Sequence, residues 1–328
     1  DPGPEFIAPQ VGMFEKLISQ HNSSVGLKVK KFGQALGKSL PLFRKDNCLI
    51  FLCGANQGVN QPSERRCALK KFIESQSSGH RVVYAEAVFD ELVRQGDKDN
   101  NLLDMENDIS RIVDIIVIVL ESPSAVCELG AFSHSSLRSK LVVINSSCFR
   151  DQESFINKGP IEAIEKSGGS VLWYDMKGDG VSRVDGIGSI FKGLRERLDV
   201  DRDRKFKKSK IDIGSIVPLS INKECLYLVH DIVFFMGPVS YRELVEFFIS
   251  AFGKRKYDIL KNILAILNSS GMIKVDEIRV RGKFLERVYR VSIQEMYLDY
   301  SFDIMPLISA ARRENFVSNP WRFKNEHH

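Results

Sequence analysis

The 328-residue sequence lacks several patterns that would classify it quickly. No apolar run approaches the ~20 residues that a membrane-spanning helix requires, and no apolar signal-peptide core follows Met13. The six cysteines form no C-x-x-C pair and no Cys/His cluster with zinc-finger spacing. These absences predict a reduced, cytoplasmic protein that does not enter a membrane and carries no structural metal.

Excess positive charge is absent from the first two-thirds of the chain and concentrated in the remainder. Residues 201–328 hold 22 Lys and Arg against 16 Asp and Glu, whereas residues 1–200 hold 25 against 26. The net charge of +5 therefore originates in the C-terminal part. This asymmetry favours an anionic partner for that part, with nucleic acid as the leading candidate and a solvated basic face as the alternative.

The front part of the chain alternates short apolar runs with segments of helical spacing. Residues 1–12 are rich in proline and glycine and indicate an added segment or a disordered arm, and 13–46 indicate a helical or irregular segment. The predicted strands are CLIFLCG (48–54), the start of 80–93, VDIIVIVL (113–120), KLVVIN (140–145) and SVLWYD (170–175). The predicted helices are 61–76, the remainder of 80–93, 102–112, 126–139, 154–166 and 187–199. Continuously apolar strands separated by helices predict a doubly wound α/β domain with a parallel sheet over 47–200.

A different rhythm follows the charge-rich stretch DVDRDRKFKKSK (199–210), so 201–221 is predicted to be a charged linker. Helical segments at 222–237, 240–253 and 256–273 precede an alternating segment, 274–292, with Gly282 at its bend. Three helices followed by a basic hairpin predict a winged helix-turn-helix domain over 222–292. Residues 293–328 then form a C-terminal extension.

Ligands of open parallel sheets bind beyond the carboxyl ends of the strands. After the first strand, CGANQG (53–58) offers Gly54, Ala55 and Asn56 to a phosphate or a ribose, although such turns also use glycine for geometry alone. The stretch matches neither G-x-G-x-x-G nor G-x-x-x-x-G-K-[ST], which disfavours an ordinary dinucleotide fold or a P-loop NTPase. In YAEAVF (84–89), Glu86 is suited to ribose hydroxyls and Phe89 to a base, against the alternative of a helix-start carboxylate and a core aromatic.

The segment ESPSAVCELGAF (121–132) directly follows the most strand-like run of the chain. Glu128 is suited to nucleophilic attack on C1′ of a nucleoside, through an oxocarbenium-like transition state. Ser122 and Ser124 offer hydroxyls to sugar or phosphate oxygens, and Gly130 leaves room beside the carboxylate. The alternative is a carboxylate that complements the helix dipole, and the residues alone support both readings equally.

ESPSAVCELGAF, with LIFLCG upstream and SFINKGP (154–160) downstream, resembles the nucleoside 2-deoxyribosyltransferase-like N-glycosidase effectors of bacterial retrons. The resemblance implies a winged-helix DNA-binding domain behind the α/β domain, and it makes Glu128 the nucleophile. It also implies that the effector is held inactive by a retron reverse transcriptase and its branched RNA–DNA hybrid, with room for higher-order assembly. The aromatic residue that the transferases often carry after the first strand is absent, since Leu52, Cys53 and Gly54 stand there. That departure favours a glycosidase over base exchange.

The weaker candidates receive smaller roles. Glu106 and Asn107 match the effector pattern and are expected near the pocket rim, whereas Asp104 and Asp108 are expected on a solvated helix face. Asp114 is expected to be structural, and Asn157 to order the loop over the site. His134 is the only histidine near Glu128 and is expected to turn away on its helix, so the sequence offers no convincing proton donor.

The leading hypothesis is therefore a toxin of a retron anti-phage system that cleaves the N-glycosidic bond of NAD or a related nucleotide and needs no cofactor. One alternative is a non-enzymatic DNA-binding regulator that senses a nucleotide, and another is a nucleoside deoxyribosyltransferase of nucleotide salvage. The predicted nucleic-acid contacts are Lys254, Arg255, Lys256, Lys261, Arg279, Arg281 and Lys283.

Overall fold

The computed structural model describes residues 12–38, 41–43, 47–59, 61–94, 102–205, 218–280 and 284–323. The chain divides into two compact units, which we call the front unit (45–208) and the second unit (1–44 together with 209–328). The predicted arm 1–12 lies outside the described residues apart from Gly12, as does most of the predicted linker. Among the described helices, none is both long enough and apolar enough to cross a membrane.

The chain begins in the second unit. Helix α1 spans Met13–Ser19, helix α2 spans Ser24–Lys38, and strand β1 spans Leu42–Phe43. The sequence predicts helical or irregular structure here, but it does not indicate where these helices pack.

The front unit contains a parallel sheet and the helices that flank it. Its strands are β2 (Cys48–Cys53), the short pair β3 (Asn56–Gly58) and β4 (Gln61–Pro62), β5 (His80–Val83), β6 (Ile115–Val119), β7 (Leu141–Ser146) and β8 (Ser170–Tyr174). Its helices are α3 (Glu64–Gln76), α4 (Ala85–Arg94), α5 (Leu102–Ile112), α6 (Pro123–Phe132), α7 (Glu162–Lys166) and α8 (Phe191–Lys205). This arrangement confirms the predicted α/β class with a parallel sheet.

The five long strands lie in the order β5-β2-β6-β7-β8, and all neighbouring pairs are parallel. Every residue of β6 is buried, because an apolar run covered by helices on a parallel sheet has no solvent-facing side. The chain runs outward in one direction from β2 to β5 and in the other from β6 to β8, so the topological switch point lies between β2 and β6. Ligand sites in such sheets form at that point, beyond the carboxyl ends of the strands.

Asp114 tightens the opposite edge of this pair. Its backbone N–H donates to the Leu49 carbonyl over 2.8 Å, and its carboxylate accepts from the Leu49 N–H at 2.9 Å. The structural role expected for Asp114 is confirmed.

Two predicted front-unit elements differ from the structure. The helix predicted over 126–139 begins at Pro123, because the Ser122 hydroxyl accepts from the Ala125 N–H at 3.2 Å and caps it, and it ends at Phe132. The predicted helix 154–166 contains a π-helical turn over Asn157–Ile161 that includes Pro160 before it becomes α7. Proline has no N–H for the regular α-helical ladder, which accounts for the irregular turn.

The second unit continues with helices α9 (Lys223–Met236), α10 (Tyr241–Phe252), α11 (Ile259–Ser269) and α12 (Met305–Ser318). Its further strands are β9 (Val239–Ser240), β10 (Ile273–Val280), β11 (Phe284–Val291) and β12 (Leu298–Asp299), and a 3₁₀ turn spans Pro320–Phe323. The predicted hairpin is present as the antiparallel pair β10–β11, with β9 on the other side of β11. Gly282, which the sequence places at the bend, lies outside the described residues.

Helices α1 and α2 are integral to this unit, although some 200 residues separate them from their partners. A Cβ atom on Gly33 of α2 would lie 2.0 Å from the Ala251 carbonyl oxygen of α10, so only glycine permits this approach. The Phe32 ring lies 5.7–5.8 Å from four other aromatic rings of the unit, those of Phe235, Phe247, Tyr300 and Phe302. The N-terminal segment therefore supplies part of the core of the second unit.

Candidate active site

Five ionisable side chains interact electrostatically at the carboxyl edge of the front sheet, around the switch point between β2 and β6. They come from five different elements, and we call them the carboxyl cluster: Cys53 of β2, Arg66 of α3, Glu86 of α4, Glu106 of α5 and Glu128 of α6. The sequence singled out Glu86, Glu106 and Glu128 of this group, and the fold brings all three together.

Glu128 lies in the second turn of α6, whose residues Ala125, Leu129 and Phe132 are buried against the sheet. One of its carboxyl oxygens, Oε2, is buried and has no hydrogen-bond partner. Burial, reinforced by the nearby Glu106 carboxyl group, raises the pKa of Glu128 to about 8, although Arg66 acts in the opposite direction. A buried acceptor without a partner is costly, so it is characteristic of a site whose partner is a ligand.

Glu106 is only 8% exposed. Burial and the neighbouring Glu86 carboxyl group raise its pKa to about 7. A carboxyl group with that pKa still holds its proton in about half of the molecules at neutral pH, and it can serve as a proton donor. The expectation that the site has no convincing donor was therefore wrong, because the burial of Glu106 on α5 gives no sequence signal that distinguishes it from a solvated helix position.

Arg66 is the cation of the carboxyl cluster, and its side chain is almost completely buried. Its Nη1 donates to Glu86 Oε1 and to Asn56 Oδ1, both at 2.7 Å, and its Nη2 donates to the Leu52 carbonyl at 2.8 Å. Its Nε is buried without a partner. The guanidinium carbon also lies 4.6 Å from the centre of the Tyr84 ring. Arg66 thus ties the loop after β2 to the start of α4.

A second buried ionic group, which we call the Arg65 network, lies beside the first. Arg65 Nη1 donates to Glu121 Oε2 at 2.9 Å, and Arg65 Nε donates to Asp185 Oδ2 at 3.0 Å. The other Glu121 oxygen accepts from the Ala55 N–H at 3.0 Å and from the Ser63 hydroxyl at 2.6 Å. This network fixes the loop after β2 to the loop after β6.

Gly54 is required by this close packing. Its φ is 154°, and a Cβ atom would lie 2.9 Å from Glu121 Oε1 and 3.0 Å from Arg66 Cδ. The predicted contacts Ala55 and Asn56 lie in the same loop, where the Ala55 N–H is bonded to Glu121 and the Asn56 side chain to Arg66.

The sequence reasoning missed Arg65, Arg66, Glu121 and Asp185. A signal exists for the arginines: Arg65 stands at i, i+4 and i+8 with Leu69 and Ile73, which are buried, so it falls on the apolar stripe of α3. A charged residue on a core-facing stripe is expected to have a buried partner.

The remaining predicted residues lie at the periphery. Ser122 caps α6 and its hydroxyl lies 2.9 Å from that of Ser124, which is exposed. Gly130 is exposed with open space around its Cα, and Phe89 lies in α4 with its side chain outside the described part. Asn107 of α5 is exposed as well.

His134 and Asn157 behave as expected in part. His134 is exposed beyond the end of α6, where its Nδ1 lies 3.1 Å from the Ser136 hydroxyl. The Asn157 side chain donates to the carbonyls of Phe149 at 2.7 Å and Gln152 at 2.8 Å, so it orders the loop after β7.

In the second unit, the predicted nucleic-acid contacts lie on two elements. Lys254, Arg255 and Lys256 are exposed in the turn between α10 and α11, and Arg279 is exposed on β10. Lys261 is half-buried on α11, with its ammonium nitrogen 6.0 Å from the centre of the Tyr241 ring. Arg281 and Lys283 lie outside the described residues. Across the described ranges, no group of three or more His, Cys, Asp or Glu side chains is arranged to hold a metal ion.

Comparison with known proteins connects this architecture to a family. Residues 62–275 match the family described as STM3845 retron effector protein. An Escherichia coli protein of retron Ec73, provisionally named a ribosyltransferase/DNA-binding protein, is 36% identical over 299 residues, which cover 84% of this chain and 91% of the relative. A similarly named E. coli protein of retron Ec86 is 31% identical over 221 residues, which cover 66% of this chain and 68% of the relative. The chain therefore belongs to the retron effector protein family.

Proposed function

We propose that the front unit is an N-glycosidase and that Glu128 is its nucleophile. The observation that carries the proposal is the buried, unpartnered Oε2 of Glu128 at the topological switch point of the sheet. The provisional ribosyltransferase names of the E. coli relatives support the same class of chemistry, glycosyl transfer. Nucleophilic attack on C1′ by a carboxylate is the established way to break such a bond in two steps.

NAD is the substrate that best fits the electrostatics of Glu128. With a pKa of about 8, Glu128 is mostly protonated in the empty site at neutral pH. A nicotinamide ring attached as a cation would favour the ionised carboxylate, because an opposite charge nearby lowers a carboxyl pKa. The carboxylate then bonds to C1′, the C1′–N electron pair neutralises the departing nicotinamide, and water hydrolyses the glycosyl ester to ADP-ribose, releasing a proton.

A purine nucleotide is the second candidate, and Glu106 is the observation that favours it. A neutral purine leaves readily only when it is protonated, and the raised pKa of Glu106 keeps a proton available beside Glu128. In that reaction Glu106 gives its proton to the leaving base as the C1′–N bond breaks.

Incubating the protein separately with NAD and with purine nucleotides, and identifying the released base, separates the two substrates. Nicotinamide release that survives Glu106→Gln supports NAD. Adenine release that is lost with Glu106→Gln, with NAD intact, supports the purine nucleotide.

The same assay addresses the two other function classes. A nucleoside deoxyribosyltransferase of salvage would incorporate an added free base into a new nucleoside. A nucleotide-sensing regulator would bind nucleotide without releasing a base, and Glu128→Gln would leave its DNA binding unchanged.

We further propose that the second unit contains a winged-helix domain that contacts nucleic acid, in a complex with the retron reverse transcriptase and its branched RNA–DNA hybrid. The order of α9, α10, α11 and the β10–β11 hairpin, the basic balance of this part of the chain, and the DNA-binding names of the relatives support it. Neutralising Lys254, Arg255 and Lys256 together should weaken binding and flatten its salt dependence. The matched control neutralises Lys28, Lys30 and Lys31 of α2, and equal effects of the two sets would contradict the proposal.

A further inference from the structure

The second unit contains a cavity of about 340 Å³ that no proposed function uses. It lies where four parts of the unit meet: the end of α9, the end of β11, the side of α12 and the final 3₁₀ turn. The lining residues are Phe234, Gly237, Pro238, Arg290, Val291, Gln294, Arg312 and Phe323. We call it the α9–α12 cavity.

Two guanidinium groups make the α9–α12 cavity electropositive. None of its eight lining residues is acidic, and two of them are Arg290 and Arg312. Asp276 pairs with Arg290 at 2.6 Å, but the Asp276 carboxylate is 42% exposed and is therefore a weak counter-charge. The lining thus favours an anion.

Both arginines are held in place by the protein. Arg312 Nη2 donates to the Phe234 carbonyl at 2.7 Å, and Arg290 donates to the Arg322 carbonyl as well as to Asp276. These bonds fix the positions of the two charges before a ligand arrives, which reduces the entropy cost of binding.

Aromatic surfaces accompany the charges. The Arg312 guanidinium carbon lies 4.7 Å from the centre of the Phe234 ring, so the planar cation is stacked on the planar ring. The Phe323 ring is braced by an edge contact to Phe316, at 5.3 Å between ring centres, and remains half-buried. Flat apolar faces next to fixed cations suit a planar ring that carries a negative group.

We propose that the α9–α12 cavity binds a nucleoside monophosphate, with the phosphate near Arg290 and Arg312 and the base against the Phe323 ring. A phosphate monoester carries −1.5 to −2 charges at neutral pH, which balances two guanidinium groups. The volume of about 340 Å³ is near the lower end of small-molecule sites, roughly 300–1,000 Å³. A mononucleotide suits that size better than a dinucleotide such as NAD. The site is separate from the carboxyl cluster, which belongs to the other unit.

Equilibrium binding of adenosine 5′-monophosphate to the full chain tests this assignment, in a Glu128→Gln background that prevents turnover. Gln294 is exposed and lines the cavity, so changing its charge leaves the fold intact. Gln294→Glu should weaken binding several-fold and Gln294→Lys should strengthen it, whereas adenosine, which lacks the phosphate, should respond to neither. A short 5′-phosphorylated oligonucleotide distinguishes a strand end from the free nucleotide as the source, and binding of either one that follows the Gln294 charge supports the site.

Arg312→Gln should weaken binding about tenfold or more, because it removes one of the two charged partners of the phosphate. The matched control is Arg313→Gln, since Arg313 is its exposed neighbour on α12 and pairs with Glu314 instead of lining the cavity. Equal weakening by the two arginine variants would overturn the proposal in favour of general electrostatic attraction. Binding that ignores both Gln294 variants would also overturn it, by assigning the bound nucleotide to the front unit.

Discussion

Arg65 and Arg66 are consecutive residues of α3, both buried, and their surroundings differ in kind. Arg65 has two carboxylate partners, Glu121 and Asp185. Arg66 has one, Glu86, and its Nε has no partner. The Arg65 network is therefore nearly saturated with hydrogen bonds, whereas the carboxyl cluster is not.

The pKa values of the acids follow this difference. Burial raises the pKa of Asp185, but hydrogen bonds from Arg65 and from the Lys177 N–H outweigh it, and the net shift is downward. In the carboxyl cluster, burial and the neighbouring carboxyl groups raise the pKa of Glu106 to about 7 and that of Glu128 to about 8. One helix turn thus holds a rigid framework on one side and acids poised near neutral pH on the other.

The largest expected effect is on catalysis. Glu128→Gln should reduce base release by on the order of 10⁴-fold or more, because it removes the nucleophile while keeping the shape of the side chain. The measurement is base release by a variant whose circular dichroism and melting temperature show that it is folded. Glu153→Gln on the exposed loop after β7 is the control. A folded Glu128→Gln protein with wild-type turnover would remove Glu128 from the mechanism.

The largest expected effect on stability lies in the Arg65 network. Glu121→Gln should lower the unfolding free energy of the front unit by about 3–5 kcal/mol, because it leaves Arg65 with an incomplete set of buried partners. Urea unfolding followed by Trp173 fluorescence measures it, in a Trp321→Phe background that silences the second unit. Glu86→Gln should cost less, since the Glu86 side chain is 19% exposed and water can replace the lost bond. The opposite ranking would mean that Arg66, not Arg65, anchors the framework.

Exchanging the two arginines separates their roles. Arg66→Met should raise the pKa of Glu128 above about 8, because it removes the cation that favours the ionised form. The acid limb of the pH–rate profile should then move to higher pH, with about a tenfold loss of rate at pH 7 for each pKa unit. Arg65→Met should reduce stability without moving that limb. Identical profiles for the two variants would show that the pKa of Glu128 does not depend on Arg66.

The smallest effect is on the pH dependence of stability. Glu106 and Glu128 titrate near 4.5 when unconstrained but at about 7 and about 8 in the folded protein. Between these values the folded state binds more protons than the unfolded state, so stability falls as pH rises. Melting temperatures should decrease from pH 5 to pH 9, and Glu106→Gln should flatten the decrease. Asp185 contributes in the opposite sense, since its lowered pKa gives stability that is lost only in acid. A melting temperature that rises over that interval would contradict the raised pKa values.

The parts of the fold that the sequence predicts are those set by local pattern. The buried β6 run and the helices at its two ends follow from apolar periodicity, and Glu128 follows from its place after that strand. The partners of Arg65 could not be predicted, because Glu121 and Asp185 are 56 and 120 residues away in the chain. The donor role open to Glu106 depends on its burial by the fold, which the polar composition of α5 conceals.

The path of the chain through its two units imposes an order on events during synthesis. The front unit, 45–208, leaves the ribosome complete, and at 5–20 residues per second the segment 209–328 needs roughly 6–24 seconds more. Helices α1 and α2 emerge first, yet the α10 backbone that Gly33 fits and the rings that surround Phe32 are made last. For that interval the proposed glycosidase can be folded while its companion unit is incomplete, so any restraint that acts through the second unit begins only after the catalytic unit exists.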